Sequence, residues 1–315
     1  MTPTDATPQR GPRLAAVGYA SLDSRLAVAE FAGVDATSIV TIPAETPAVG
    51  GVAHIARAMA ATGAPTATVS WVGADAGGDR WRAGTPSWPA PHDGVAQTAG
   101  RTPSSTLVEI ESGGAICLFD PGDCHPQRLT DTQRTVLQAS EWVVLTVAPR
   151  RLALDVLETL PASAGLAWAV KRDADAYDDK LMRMLLRRAQ LVSFSAAERD
   201  FVSLNGVAPE RSVSPGTLVV ETRGAAGLAW TLTGAQGAAE RSGIVAVERV
   251  SDIDTTGAGD TFVGTLAARL AQAGPLASMG DEAITAHLRT AAGAVHKLLT
   301  TRRTAAAHPY ERKTS

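Results

Sequence analysis

The string Asp254-Thr255-Thr256-Gly257-Ala258-Gly259-Asp260-Thr261-Phe262, followed by an apolar, small-residue helix pattern, holds the most reactive arrangement in the chain. Two glycines and an alanine at a helix start let the backbone approach a ligand closely, with first-turn N–H groups aimed at it. The helix dipole favours negative charge there, so a phosphoryl group in transfer would be stabilised at Gly257, Ala258 and Gly259. Asp260 stands beside that nest, where its carboxylate can accept a proton from an attacking hydroxyl. By residue type alone, the string equally describes a Gly-rich turn with a helix-capping acid. It is not a P-loop, because no Gly-Lys-Ser/Thr follows. Lys171 and Arg172 form a second candidate at the end of an inferred strand, at the sheet edge where ligands of open α/β folds collect. A lysine there suits a transferring phosphate or an acidic substrate group; a solvated basic turn paired with Asp173 and Asp175 is the competing reading.

The elements that must position these groups are legible mainly after residue 140. Strand and helix patterns alternate there: 142–147 then 151–160, 167–170 then 180–189, and 191–195 then 197–204. Such alternation predicts a parallel sheet with helices on both faces. Residues 218–222 and 227–231 add strands, and helices over 260–273 and 281–299 close the chain. Earlier, 14–18 reads as a buried strand feeding a loop that carries Asp23. Residues 25–31 and 37–42 read as short strands, Gly50-Gly51 as the opening of a helix over 52–62, and 66–72 as a strand. The Gly- and Pro-rich segment 73–103 reads as loop with at most one short helix. Residues 105–111 and 115–120 flank Ser112-Gly113-Gly114 as a hairpin; with the early strands they predict a small sheet outside the main one.

At 315 residues the chain is long enough for one large α/β domain. Its net charge of -3 and 19% charged residues exclude the basic excess that binds nucleic acid or anionic lipid. No apolar run approaches the roughly 18–20 residues that span a bilayer. Residues 1–12 read as a disordered leader and not a signal peptide, and 302–315 as a flexible tail, so a cytoplasmic location is expected. Cys117 and Cys124 do not indicate a disulfide framework, and the six scattered tryptophans read as packing residues.

The nine-residue string resembles the C-terminal signature of the PfkB (ribokinase-like) carbohydrate kinases, and further matches extend the resemblance from Leu14 to about Leu299. The resemblance implies a three-layer α/β/α fold with a mainly parallel sheet and a small β lid from about 24–48 and 104–121. It assigns Asp23 to substrate hydroxyls, and Gly50 and Gly51 to a signature against which substrate lies. Thr222, Gly224 and Gly227, in Thr-x-Gly-x-x-Gly, would support the nucleotide phosphates and ribose, together with Ser195 and Thr256. Glu198 corresponds to the acid that holds Mg²⁺ through water, and Asp254 to a monovalent cation site for K⁺.

The chain also departs from the family pattern. Ser195 stands where the family has Asn, the first signature lacks its Asn with His54 as the candidate replacement, and Ala291 to Ala294 shows no adenine-side Asn. The expected activity is transfer of the γ-phosphoryl group of ATP to a hydroxyl of a sugar or nucleoside, with Asp260 as general base. A kinase of phosphorylated sugars, or a family member that binds without turnover, are the alternatives. In the family the lid covers the substrate and in some members forms a dimer interface, so the resemblance allows a homodimer through the lid and leaves the oligomeric state open.

Overall fold

The computed structural model describes residues 12–44, 46–85, 94–234, 239–250 and 255–307. Residues 1–11 of the expected leader, residues 308–315 of the expected tail, and Asp254 lie outside the described residues.

The chain enters as β1 (Leu14–Val17), leaves the main body as β2 (Ala20–Val28), β3 (Val40–Ile42) and β4 (Ala48–Gly51), and returns as α1 (Val52–Ala60) and β5 (Thr66–Gly73). Next come α2 (Ala76–Gly84), β6 (Val95–Thr98) and a hairpin of β7 (Ser104–Ile110) and β8 (Ala115–Asp120). The strand–helix repeat follows: α3 (Asp131–Gln138), β9 (Trp142–Leu145), α4 (Arg150–Thr159), β10 (Gly165–Ala169), α5 (Asp179–Arg188) and β11 (Leu191–Ser195). Two short helices, α6 (Arg199–Val202) and α7 (Pro209–Ser212), precede β12 (Leu218–Thr222), β13 (Leu228–Leu232) and β14 (Arg241–Val245). Two long helices, α8 (Ala258–Ala273) and α9 (Asp281–Ala307), end the described chain.

The strands form a nine-stranded sheet in the order β14-β13-β12-β11-β10-β9-β1-β5-β6, in which only β13 runs antiparallel to its neighbours. A second, five-stranded sheet has the order β3-β2-β7-β8 with β4 on β2. The period of 2 along β1 divides the core between the two faces of the main sheet. Leu14 and Ala16 join a cluster with α1, α8 and α9, whereas Ala15 and Val17 join one with α3, α4 and α5. This is the expected three-layer α/β/α fold with a small β lid.

Several local readings differ from the structure. Asp23 sits inside β2 and not in a loop, and an unread strand, β4, runs up to Gly51, which caps α1 as expected. The segment read as loop with at most one short helix holds that helix as α2 and adds an unread strand, β6. Helix α2 hides in the sequence because Gly77, Gly78 and Gly84 lower its propensity; it is started by the Asp75 carboxylate accepting from the Gly78 amide at 2.6 Å and anchored by buried Trp81. Helix α3, absent from the sequence reading, opens with a full capping box, Thr130 with Gln133. Helix α9 continues past Arg302 as far as Ala307, with Arg302 donating to the Thr256 carbonyl at 2.6 Å.

Candidate active site

The lid side of the site is built on the pleat of β2. Ser21 and Asp23 share one face of the strand, and the β7 residue paired with Asp23 is Ser105. Ser21 donates to Asp23 Oδ1 at 2.6 Å, and the Ser21 and Ser105 hydroxyls lie 2.9 Å apart. His54, in the first turn of α1, places Nε2 3.9 Å from Asp23 Oδ2. Burial alone would raise the Asp23 carboxyl, but the nearby His54 ring and the hydrogen bond from Ser21 overturn that and hold it below the usual carboxylate range. Gly50 borders the carboxylate so closely that any Cβ at that position would overlap Asp23 Oδ2 and Cγ. Strand β4 is held there by buried Trp81, whose Nε1 donates to the Gly50 carbonyl at 3.2 Å, and by Arg57, which donates to the Val49 carbonyl at 3.0 Å.

The other half is the start of α8. The backbone freedom of glycine is required at Gly257, the N-cap, where φ is 74° and a side chain would be strained. A Cβ there would also meet the His54 ring at 3.0 Å, so His54 packs between Asp23 and the nest. The Ala258 amide is turned onto the Thr255 carbonyl at 3.0 Å, and the Thr261 amide onto the Gly257 carbonyl at 2.8 Å. Between them Gly259 is exposed and Asp260 is buried, 9% exposed as a whole residue.

Lys171, in the loop after β10, reaches Asp260 with Nζ 3.2 Å from Oδ1. The Asp260 charge holds the Lys171 ammonium above its ordinary pKa against the opposing effect of burial. Of the expected alternative partners, Asp173 turns its carboxylate onto the amides of Asp175 and Ala176, both at 2.9 Å. Arg172 turns away, donating to the Ala197 carbonyl at 2.7 Å and lying over the Phe201 ring.

A cleft of about 670 Å³ runs from this pair toward α9, within the range of small-molecule sites. It is lined by Lys171, Ser195, Glu198, Thr222, Gly224, Ala258, Gly259 and Asp260 at its polar end, and by Val247, Phe262, Val263, Ala292, Val295 and Leu299 at its more apolar end, whose rim also carries Glu248, Arg289 and His296. Glu198 Oε2 accepts from the Ser195 amide and hydroxyl, both at 2.8 Å, closing a capping box. Among the described residues that bonding uses one carboxylate oxygen. No group of three His, Cys, Asp or Glu side chains stands together among them, so a cation here would need ligands beyond the protein. A single carboxylate at the edge of a cleft large enough for a nucleotide fits Mg²⁺, which keeps several waters and takes few protein ligands. Thr222 ends β12, donating to the Phe194 carbonyl at 3.4 Å, and Gly227 closes the following turn by accepting from the Arg223 amide at 2.8 Å.

The structure thus gathers Asp23, Gly50, His54 and Gly257 into one contiguous contact, and Lys171, Ser195, Glu198, Thr222, Gly224, Ala258, Gly259 and Asp260 around one cleft. Gly51, Thr256 and Gly227 shape the adjoining backbone and do not line that cleft. Sequence reasoning missed Ser21 and Ser105, which the alternation of the lid strands places beside Asp23. It missed Cys117, exposed on β8, whose thiol is pushed up by its partial desolvation beside the lid and by the Asp23 charge while the Lys171 charge opposes. Arg289 and His296 were also missed; they flank the small residues of α9 along the cleft at helical spacing.

Residues 12–297 match the pfkB family carbohydrate kinase family. No curated protein sequence matches the chain. Among solved structures it is similar to the Arabidopsis thaliana ribokinase complexed with ribose and ATP, at 20% identity, TM-score 0.70, over 90% of this chain and 91% of that one. It is similar to the Xylella fastidiosa fructokinase with bound ATP, at 18% identity, TM-score 0.67 and 89% of each chain. The Burkholderia thailandensis nucleoside kinase in complex with inosine aligns at 15% identity and TM-score 0.65, again over 89% of each. With the family profile covering nearly all of a chain that folds as an α/β/α sandwich with a β lid, the protein belongs to the pfkB family of carbohydrate kinases.

Proposed function

We propose that the protein transfers the γ-phosphoryl group of ATP to a hydroxyl of a sugar or nucleoside, with Asp260 as the general base. The observation that carries this reading is the placement of buried Asp260 at the start of α8, in the cleft beside exposed Gly259 and next to the nest glycine that His54 joins to Asp23. In this reading Asp23, braced by Ser21 and His54, accepts hydrogen bonds from acceptor hydroxyls, and Gly50 and Gly51 let the acceptor lie against the backbone. Asp260 takes the proton of the attacking hydroxyl as its oxygen bonds to the γ-phosphorus. The bond from that phosphorus to the ADP oxygen breaks, and ADP leaves with the electron pair. The α8 N-terminus at Gly257 to Gly259 stabilises the charge on the phosphoryl oxygens. Ser195, Thr222, Gly224, Gly227 and Thr256 support the nucleotide, whose base lies along the apolar end of the cleft.

Mg²⁺, held through water by Glu198, would supply charge neutralisation between the phosphates. Closure of the lid would exclude water and favour transfer over hydrolysis. Exposed Val40 and Ile42 on β3 and Leu118 on β8 support a homodimer through the lid, which sedimentation would test.

The experiment is ATP-dependent phosphorylation across a panel of sugars, sugar phosphates and nucleosides, with Asp260→Asn as control. Product with a neutral acceptor, reduced by ~10²–10⁴-fold in the variant, is the expected outcome. Product only with sugar phosphates would move the acceptor class. Saturable binding without product from any acceptor would sink the reading.

A further inference from the structure

The Lys171–Asp260 pair sets a problem for the proposed reaction, because the base already shares its carboxylate with an ammonium 3.2 Å away. An oxygen that must take a proton from a hydroxyl gains by shedding that partner at the moment of attack. Lys171 is well placed to be drawn off. Its side chain is 42% exposed, it lines the same cleft as Gly259 and Glu198, and a four-carbon stem with three donors can turn between acceptors. The acceptor hydroxyl must lie within about 3 Å of both Asp260 and the γ-phosphorus. An ammonium touching Asp260 is therefore within one side-chain rotation of the γ-phosphate oxygens.

Resting on the kinase reading above, we propose that Lys171 ligates the γ-phosphate of ATP and that Asp260 and this phosphate compete for its ammonium. Release of the base then depends on the phosphoryl group being present. The β- and α-phosphates lie farther along the cleft and do not compete, so ADP leaves the Lys171–Asp260 pair intact. An acidic group on the acceptor is the rival partner for Lys171. Its location argues against that role: the side chain lines the cleft that also holds Thr222, Gly224 and Glu198, and Asp23 stands on the acceptor side as a carboxylate that would repel an anion.

Calorimetric titration of the full chain with Mg·ATP and, separately, Mg·ADP tests this without requiring turnover. Lys171→Met should weaken Mg·ATP binding by about 10-fold or more while changing Mg·ADP binding less than about 2-fold, since hydrogen bonds to charged groups contribute ~1.5–3 kcal/mol. Lys171→Arg should keep most of the preference for ATP. Asp260→Asn should tighten Mg·ATP several-fold, and by less when residue 171 is already Met. Equal weakening of both nucleotides by Lys171→Met, or no weakening of either, would overturn the proposal. So would loss of binding for a sugar acid or sugar phosphate with Mg·ATP affinity unchanged. The kinase reading fails on a different result, the absence of product from the wild-type chain with every acceptor.

Discussion

Replacing Gly50 by alanine isolates the acceptor side of the site with a single methyl group. The backbone of Gly50 lies outside the left-handed region, so alanine carries no conformational penalty and the whole effect is steric. A Cβ there would overlap Asp23 Oδ2 and Cγ and would stand 2.9 Å from Oδ1, so the carboxylate must retreat by roughly 1 Å or more to reach ordinary contact. That retreat breaks a geometry set by the 2.6 Å bond from Ser21 and the 3.9 Å approach of His54. A hydrogen bond from substrate to a charged group is worth ~1.5–3 kcal/mol, which converts to about a 10- to 150-fold loss in kcat/KM for the acceptor. Overpacking adds ~1–3 kcal/mol of destabilisation. Steady-state kinetics at saturating ATP, with the best acceptor of the panel, should show that loss while Mg·ATP affinity stays within about twofold, because Gly50 does not line the nucleotide cleft. Since the methyl acts through Asp23, Gly50→Ala with Asp23→Ala should be no worse than Asp23→Ala alone. An acceptor kcat/KM within twofold of wild type, or losses that multiply in the double variant, would refute the reasoning.

Gly257→Ala should impair the phosphoryl end instead: a non-glycine residue at φ 74° costs ~1–2 kcal/mol, and the new methyl presses on the His54 ring, so both the melting temperature and kcat should fall. Asp155→Ala should cost ~3–5 kcal/mol in urea unfolding, because it strands Arg134, whose Nη2 lies 2.7 Å from a carboxylate only 3% exposed, and the Leu129 amide at 2.8 Å; activity at saturating substrates should be kept. His125, packed against Tyr19 and Trp71, has its pKa pushed down to about 4 by burial and then by the Arg151 charge. The unfolded chain therefore binds this proton first, and stability present above pH ~6.5 is lost as pH falls toward ~4, by up to ~1.4 kcal/mol per pH unit. Denaturant unfolding across that window should show the slope in the wild type and a shallower one in His125→Phe; equal slopes would refute it.

The legibility of the chain followed how local each signal was. The parallel core could be read from β9 through β12 because strands buried on both faces are short apolar runs and their crossover helices carry an amphipathic period. The lid was harder. Strand β2 carries Ser21, Asp23 and Arg25 on one face with Ser24 between them, and that polar run erases the apolar alternation that marks a strand. Strand β14, Arg241–Val245, has the weak pattern of an edge, and α2 is disguised by its glycines.

By itself the sequence determined the family, the α/β/α layers and the candidates at Asp23, Gly50, Glu198, Thr222 and Gly257 to Asp260. Each of those rests on residue types and spacings within a single turn or strand end, which local backbone chemistry constrains directly. Only the tertiary structure decided which of them meet. His54 lies between Asp23 and Gly257, Trp81 holds Gly50 from 31 residues away, and Lys171 pairs with Asp260 and not with the nearby Asp173 or Asp175. Those partnerships join separate elements, and which long side chain finds which carboxylate depends on the packing of α1, α8 and the sheet edge, a three-dimensional condition that spacing along the chain does not contain.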